Sequence, residues 1–356
     1  MFHLKSKVLT YWYGDIPNEY HIKFIHYNIE FFDESNEEYE NIKEDLENIY
    51  NYDKEAFKLY FSNINDYLKL SDHIDLNKYE DKIYIRIRSN DEYKKLIENN
   101  ISKNIKVIVF LSDLEKIDIK DSDLVVQVDK VSELPLDKLN DLLTKYNIKE
   151  VSVGQFSRFA KEYEHFYDNM GKYYHVDPSE KLKLEQINSI TNDIYSVDDY
   201  KKILNKFYSI IEELDIKDQI DGFYKIFDYI AKNVYYDFDS VKMTKIINQN
   251  LIGPVLYGKS VCEGYSKFLQ QMLSLIGIDA LCVQGGGKKE EGGHIWNQVL
   301  IDGKWYDSDV TADSYRFHNN EEMKSQLVCD DAICYKTYSA ISHICDENYK
   351  RDNSRK

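Results

Sequence analysis

The dipeptide Asp302-Gly303 constrains this chain more than any other feature. It separates two β-rich runs, His294-Ile-Trp-Asn-Gln-Val-Leu-Ile301 and Lys304-Trp-Tyr-Asp-Ser-Asp-Val-Thr311. Asp-Gly suits a two-residue hairpin loop, because both loop positions need positive φ. A two-residue loop sets the register. Ile301 faces Lys304, Trp296 faces Asp309, and His294 faces Thr311. Side chains alternate along a strand, so His294 and Asp309 share one face as diagonal neighbours. Diagonal Cα atoms lie roughly 7–8 Å apart, within reach for a carboxylate to meet an imidazole N–H. Asp307 shares the face one pleat further away. A bulge would shift the register and favour Asp307 or Asp313 instead.

A second stretch, Ser260-Val-Cys-Glu-Gly-Tyr-Ser-Lys-Phe-Leu-Gln-Gln-Met-Leu273, reads as a helix. Phe268, Leu269, Met272, Leu273 and Ile276 recur at the spacing of one buried helical face. Gly277 follows as a stop. Cys262 falls in the first turn, where unpaired backbone N–H groups and the positive end of the helix dipole favour the nucleophilic thiolate. The competing reading of Cys262 alone is a small buried hydrophobe. Between helix and hairpin lie a strand at Asp279–Gln284 and a glycine-rich loop, Gly285 to Gly293, able to move as a lid. A helix tip thus offers a thiol, and one sheet face offers a histidine oriented by a carboxylate. That is the logic of a triad of Cys262, His294 and Asp309. His294 would take the thiol proton and later protonate a leaving amine. Asp309 would hold the imidazole tautomer, and the Cys262 N–H would help bind an oxyanion. Gly264 leaves room beside the nucleophile.

Residues from about 218 to 313 resemble the transglutaminase-like superfamily, in its bacterial cysteine-peptidase-related branch. The resemblance is carried by a helix ending Tyr235-Tyr-Asp, by Gly258-Lys-Ser-Val-Cys-Glu-Gly-Tyr-Ser266, by His294-Ile-Trp-Asn, and by Asp302-Gly-Lys-Trp-Tyr-Asp-Ser-Asp-Val-Thr311. It implies an α+β papain-like core, a cysteine-bearing helix packed on an antiparallel sheet. It also implies acyl transfer at a peptide or carboxamide bond through a thioester. The family's nucleophile, base and acid fall on Cys262, His294 and Asp309. Ala312 stands where the family often has an aromatic residue. Hydrolysis is favoured over transamidation or deamidation, since water is always present and no dedicated amine site is visible. A non-catalytic binding or scaffold role is the other alternative. The expected substrate is a peptide or protein, with an isopeptide or a small amide as the alternative.

At 356 residues the chain is expected to hold two domains, 1–176 and 177–356. A net charge of −17 disfavours nucleic-acid binding. No run approaches the ~18 apolar residues of a membrane span, and the N-terminus lacks a signal peptide's apolar stretch. The 5 cysteines are an odd number crowded into the last hundred residues, which fits reduced thiols in a cytoplasm better than a disulfide framework. No nucleotide loop or EF-hand appears, so no cofactor is expected. Cys329, Cys334, His343 and Cys345 could together hold zinc, but the spacing is loose and a structural metal is not expected.

The N-terminal half reads as an α/β domain. Val8–Tyr13 and Ile22–Ile29 look like strands around a turn at Gly14–Pro17. Glu37–Tyr50 and Lys54–Leu68 read as helices. Ile83–Ile87, Ile105–Leu111, Leu124–Val128 and Val151–Val153 are β-branched runs, and helical patterns at Glu92–Asn99 and Asp137–Lys145 lie between some of them. That alternation predicts parallel strands. Asp113, Asp129 and Gln155 follow strand ends, where α/β ligand sites tend to lie. The half is either a module for a carbohydrate, peptide or partner, or a scaffold. After a Gly- and Pro-punctuated boundary at 168–180, Ser196-Val-Asp-Asp199 opens a helix to about Leu214. A second helix follows, with Ile220, Phe223, Phe227, Ile230 and Val234 in phase.

Overall fold

The computed structural model describes residues 8–10, 25–27, 36–52, 54, 57–61, 63–101, 105–120, 122–154, 157–159, 192–238, 248–286, 293–328 and 349. The chain divides into two compact units. One comprises Met1–Val128, Leu136–Val153 and Ile194–Val197; the other comprises Asp129–Pro135, Gly154–Asp193 and Asp198–Lys356. The expected boundary at 168–180 lies outside the described residues.

The first unit is a sheet built largely from consecutive strands. They are β1 (Val8–Thr10), β2 (Ile25–Tyr27), β3 (Phe57–Phe61), β4 (Ile83–Arg86), β5 (Lys106–Phe110), β6 (Asp123–Val128) and β7 (Ile148–Gly154). β8 (Ser157–Phe159) belongs to the other sheet, and β9 (Asn192–Ser196) completes the order β1-β2-β3-β4-β5-β6-β7-β9. β1 and β2 pair antiparallel, while β2 to β7 run parallel. The crossovers carry α1 (Asn36–Tyr52), α2 (Ile64–Ser71), α3 (Asn90–Glu98) and α4 (Leu136–Lys145). Parallel crossovers are right-handed, and here each step moves one strand in the same direction. All four therefore fall on one face of the sheet. One set of alternate residues is accordingly apolar and buried, with Leu59, Ile85, Val107, Val109, Val126 and Val151 among them. The other set mixes Tyr84, Ile108 and Val125 with polar residues. There Lys106 Nζ lies 3.1 Å from Glu150 Oε2 and donates to the Tyr84 hydroxyl at 3.0 Å.

The helix expected over Lys54–Leu68 is corrected. Phe57–Phe61 is a strand whose side chains alternate between buried and half-buried, and the helix starts only at Ile64. Period-2 burial outweighs helix propensity here. Asn63 marks the switch, because its side chain caps the new helix by accepting from Asp66 N at 3.0 Å.

The second unit places a helix on a sheet, as the resemblance implies. α5 (Val197–Leu214) and α6 (Gln219–Asn233) lead into the short parallel pair β10 (Tyr235–Tyr236) and β11 (Lys259–Ser260). Then come α7 (Cys262–Leu275), β12 (Ala280–Gly286), β13 (Gly293–Ile301), β14 (Lys304–Ser308) and α8 (Val310–His318). The sheet order is β14-β13-β12-β8. β12, β13 and β14 are antiparallel, and β8 adds a parallel edge. The hairpin register is the one deduced from Asp302-Gly303: Ile301 pairs with Lys304, Val299 with Tyr306 and Gln298 with Asp307. Both loop residues have positive φ, 49° and 74°.

The expectation of a single buried face on α7 falls short. Every residue from Cys262 to Leu273 is buried, polar ones included. Burying polar groups is costly unless each finds a partner. Lys267 Nζ lies 2.8 Å from both Asp193 Oδ2 and Glu263 Oε1. Gln271 accepts from Val131 N and donates to Gly154 O. Gln270 donates to Ala280 O. Gly264 has the most constrained backbone. A Cβ there would sit 2.3 Å from Ser260 Oγ and 2.6 Å from Asn248 O, so the room the glycine leaves is already filled by Ser260 and the backbone at 248. Overpacking of this kind costs about 1–3 kcal/mol. Gly264→Ala is expected to lower unfolding free energy by that amount in urea titrations, whereas a substitution at exposed Lys304 leaves it unchanged.

Candidate active site

α7 delivers Cys262 at its first residue. The N-cap position, Val261, supplies no capping side chain, and its own N–H donates to Asn248 O at 3.0 Å. The first-turn amides of α7 therefore stay uncapped by a side chain beside the sulfur. Cys262 is buried in a cluster with Cys282 and Ile295. A further pair of hydrogen bonds holds α7 against β13. Ser266, one turn after Cys262, donates to Ile295 O at 3.1 Å, and Asn297 Nδ2 donates to Ser266 O at 2.9 Å. These bonds fall just after His294 on the strand and tie that part of β13 to α7.

His294 Nε2 lies 2.8 Å from Asp309 Oδ2. Asp309 is not the strand residue expected. β14 ends at Ser308, and Asp309 is the N-cap of α8, accepting from Ala312 N at 2.9 Å through Oδ1. The capping side chain ends the strand and turns the chain into a helix, which an alternating reading of Lys304–Thr311 misses. One oxygen is thereby committed to the helix, which aims the other at the imidazole. The Asp309 N–H donates to Ser325 O at 2.9 Å. Cys262 also acts on the imidazole, favouring its charged form.

The other two acids have different partners. Asp307 accepts from Trp296 Nε1 at 3.1 Å and from Gln298 Nε2 at 3.0 Å. Asp313 accepts from Lys324 N and Ser325 N and pairs with Arg316. Among the three candidates, Asp309 alone meets His294. Sequence reasoning missed the supports around the site. Tyr265 OH donates to Val234 O at 2.6 Å and lies 2.9 Å from Ser314 Oγ, while Ser314 donates to Val234 O at 2.8 Å. This three-way junction joins α7, the end of α6, and α8, so the thiol helix and the carboxylate helix share one anchor. The only available signal was polarity at helix positions whose neighbours are core.

Burial alone would disfavour an imidazolium at His294. The Asp309 carboxylate outweighs it, with Cys262 adding to the effect, and the His294 pKa is pushed up to about 10. The folded value exceeds the usual 6.5, so protonation stabilises the folded state. That contribution is complete below about 6.5 and is lost as pH rises through about 10. Of the loop expected to act as a lid, Gly285 to Gly293, Gly285 and Gly286 belong to β12 and Gly293 to β13, while 287–292 lie outside the described residues, as do Cys329, Cys334, His343 and Cys345. Among the described residues no cluster of His, Cys, Asp and Glu could hold a metal. No described helix is long and apolar enough to cross a membrane.

Residues 209–310 match the transglutaminase-like superfamily. That span takes in all of α6 and α7 and ends at the residue after Asp309. No match was found among the curated proteins. A solved transglutaminase structure is 18% identical, with 42% of this chain aligned, 37% of that chain covered and a TM-score of 0.28. A candidate cysteine protease from Cytophaga hutchinsonii is 16% identical, with 33% of this chain aligned, 43% of that one covered and a TM-score of 0.26. The chain thus spans less than half the length of either structure, and at such TM-scores neither likeness bears on the fold.

Two outcomes are expected at this site. Iodoacetamide at pH 6 labels Cys262 ahead of Cys282, and His294→Ala slows Cys262 labelling at least about tenfold, because a neighbouring imidazolium favours the thiolate. In urea unfolding from pH 6 to 10, the stability advantage of wild type over His294→Gln shrinks steadily as pH rises.

Proposed function

We propose that the transglutaminase-like unit is a cysteine-dependent acyl-transfer enzyme acting on a peptide or carboxamide bond, with hydrolysis as its outcome. The observation that supports this reading most is the position of His294, whose imidazole meets Asp309 at 2.8 Å and whose charged form is favoured by both Asp309 and Cys262. A thiolate–imidazolium couple is the reactive form of such a nucleophile.

In the first step Cys262 Sγ attacks the substrate carbonyl carbon. The carbonyl oxygen takes the negative charge, and the Cys262 N–H at the tip of α7 is placed to donate to it. The tetrahedral species collapses as the C–N bond breaks, and the His294 imidazolium gives its proton to the departing amine or ammonia. A thioester remains. Water then attacks it, neutral His294 takes the water proton, and the C–S bond breaks to release a carboxylic acid and restore the couple. Asp309 stays ionised throughout. It holds the ring in one orientation and stabilises its charged form.

The buried surroundings suit this chemistry. Cys262 and His294 are buried and Asp309 is fully buried, so the charges act on each other with little screening by water. Lys267 balances Glu263, the carboxylate adjacent in sequence to the nucleophile. Burial by itself would favour neutral Lys267, but Asp193 and then Glu263 outweigh it and keep the ammonium charged.

An activity-based acyl probe followed by intact-mass and peptide mass spectrometry tests the proposal, with a peptide-amide library supplying substrates. A single adduct on Cys262 and released carboxylic acid are expected. Loss of the general base or its orienting acid costs about 10²–10⁴ in rate. His294→Ala and Asp309→Ala should show losses of that size, and Asp307→Asn should stay close to wild type. Added primary amine distinguishes the outcomes: amide adducts dominating over acid would replace hydrolysis by transamidation. Absence of any Cys262 adduct, with the fold intact, would leave a non-catalytic binding role.

A further inference from the structure

The first unit carries a buried polar site that the proposed acyl-transfer chemistry does not use. Arg86 is the last residue of β4. Registers across the sheet place it on the same face as Tyr84, Ile108, Phe110, Gln127 and Ser152. Arg86 pairs with Ile108, Phe110 pairs with Gln127, and Gln127 pairs with Ser152. Each of these residues lies within the last three of its strand, toward the carboxyl end of the parallel sheet. Parallel α/β sheets bind ligands at that end. The opposite face takes the crossover helices, so none of α1 to α4 covers this row.

The chemistry of the row is specific. The Arg86 guanidinium lies over the Phe110 ring, 4.8 Å from its centroid, and 5.6 Å from the centroid of the Tyr60 ring. Its Nη2 donates to Gln127 Oε1 at 2.8 Å. Arg86 is 8% exposed, Gln127 0% and Ser152 1%. Arg86 Nε, Gln127 Nε2 and Ser152 Oγ nevertheless have no hydrogen-bond partner. Among the described residues no carboxylate lies within ion-pairing distance of Arg86. A buried unpaired guanidinium is expensive, and several idle donors beside it compound the cost. Each idle group is a donor or a hydroxyl able to donate, and they share one face of the sheet, with Gln127 and Ser152 level with each other one pleat beyond Arg86. A ligand with anionic oxygens would satisfy all of them at once. Arg86 Nε and an Nη form the fork that matches a carboxylate or phosphate edge.

We propose that Arg86, Gln127 and Ser152 form a binding site for a carboxylate or phosphate group on the first unit. The aromatic rings of Tyr60 and Phe110 hold the guanidinium flat and present its edge. The Gln127 carbonyl orients it from one side, which turns the Gln127 amide outward as a second donor. Ser152 closes the row.

The test uses full-length protein and thermal unfolding with sodium phosphate or sodium acetate titrated at constant ionic strength against chloride. A chain of net charge −17 does not attract anions without a built site, so a saturable response is informative. Wild type is expected to gain several degrees in Tm with at least one of the two anions, and the stronger arm identifies phosphate or carboxylate as the natural group. Arg86→Met should abolish the gain while leaving basal Tm equal or higher, because an unpaired buried charge is replaced by an apolar chain of similar length. Gln127→Leu and Ser152→Ala should each weaken the apparent affinity at least about fivefold, a loss of the size of one hydrogen bond. They serve if Arg86→Met does not fold. An equal response to chloride, or an unchanged anion response in Arg86→Met or in both other variants, would overturn the site. So would a basal Tm that falls in Arg86→Met with no anion response in wild type, since Arg86 would then be structural only.

Discussion

One carboxylate is asked to satisfy two elements at once. Asp309 caps α8 through one oxygen and meets His294 through the other. The cap is a local interaction and forms wherever the helix forms. The imidazole contact is long-range in structure and depends on where that helix starts. Joining them in one side chain makes the position of the base a by-product of helix initiation. The same logic operates at the nucleophile, where Cys262 is the first residue of its helix. Both reactive ends of the site are therefore helix termini, the places where a backbone offers unpaired dipoles. The α6–α7–α8 junction at Val234, Tyr265 and Ser314 then holds the two termini at a set distance.

The interior of the second unit is more polar than its composition suggests. Lys267, Glu263, Gln270 and Gln271 lie on a helix with no solvent-facing side. Each is matched by a defined partner, so the helix is held by direction-specific bonds as well as by apolar contact. Such a network resists sliding or rotation of α7, which simple hydrophobic packing would permit. For a thiol that must meet an imidazole, resistance to rotation matters more than extra stability.

Much of this was legible in the sequence because it depended on local rules. Asp302-Gly303 set the hairpin register through its φ requirements, and the register brought the chain near Asp309 back alongside His294. The Cys262 helix and its stop at Gly277 followed from apolar spacing and a positive φ of 75°. The start of α8 at Val310 was hidden, since Lys304–Thr311 alternates like a strand and only the cap hydrogen bond ends it. The strand at Phe57–Phe61 was hidden in the same way, behind neighbours that favour helix. The buried polar partners of α7 come from residues as distant as Val131 and Asp193, and no local pattern records such pairings. The row from Arg86 to Ser152 is of the same kind. Its members sit on separate strands, and only the sheet brings them together.

The first unit's sheet lists its strands from β1 to β7 in the order in which the chain supplies them. Each new strand docks beside the one just made, so loops close over short sequence separations. During synthesis the unit can grow strand by strand as the ribosome releases it, with the newest strand always serving as the template for the next. Adding or losing one strand–crossover unit in evolution would lengthen or shorten this sheet without rethreading it.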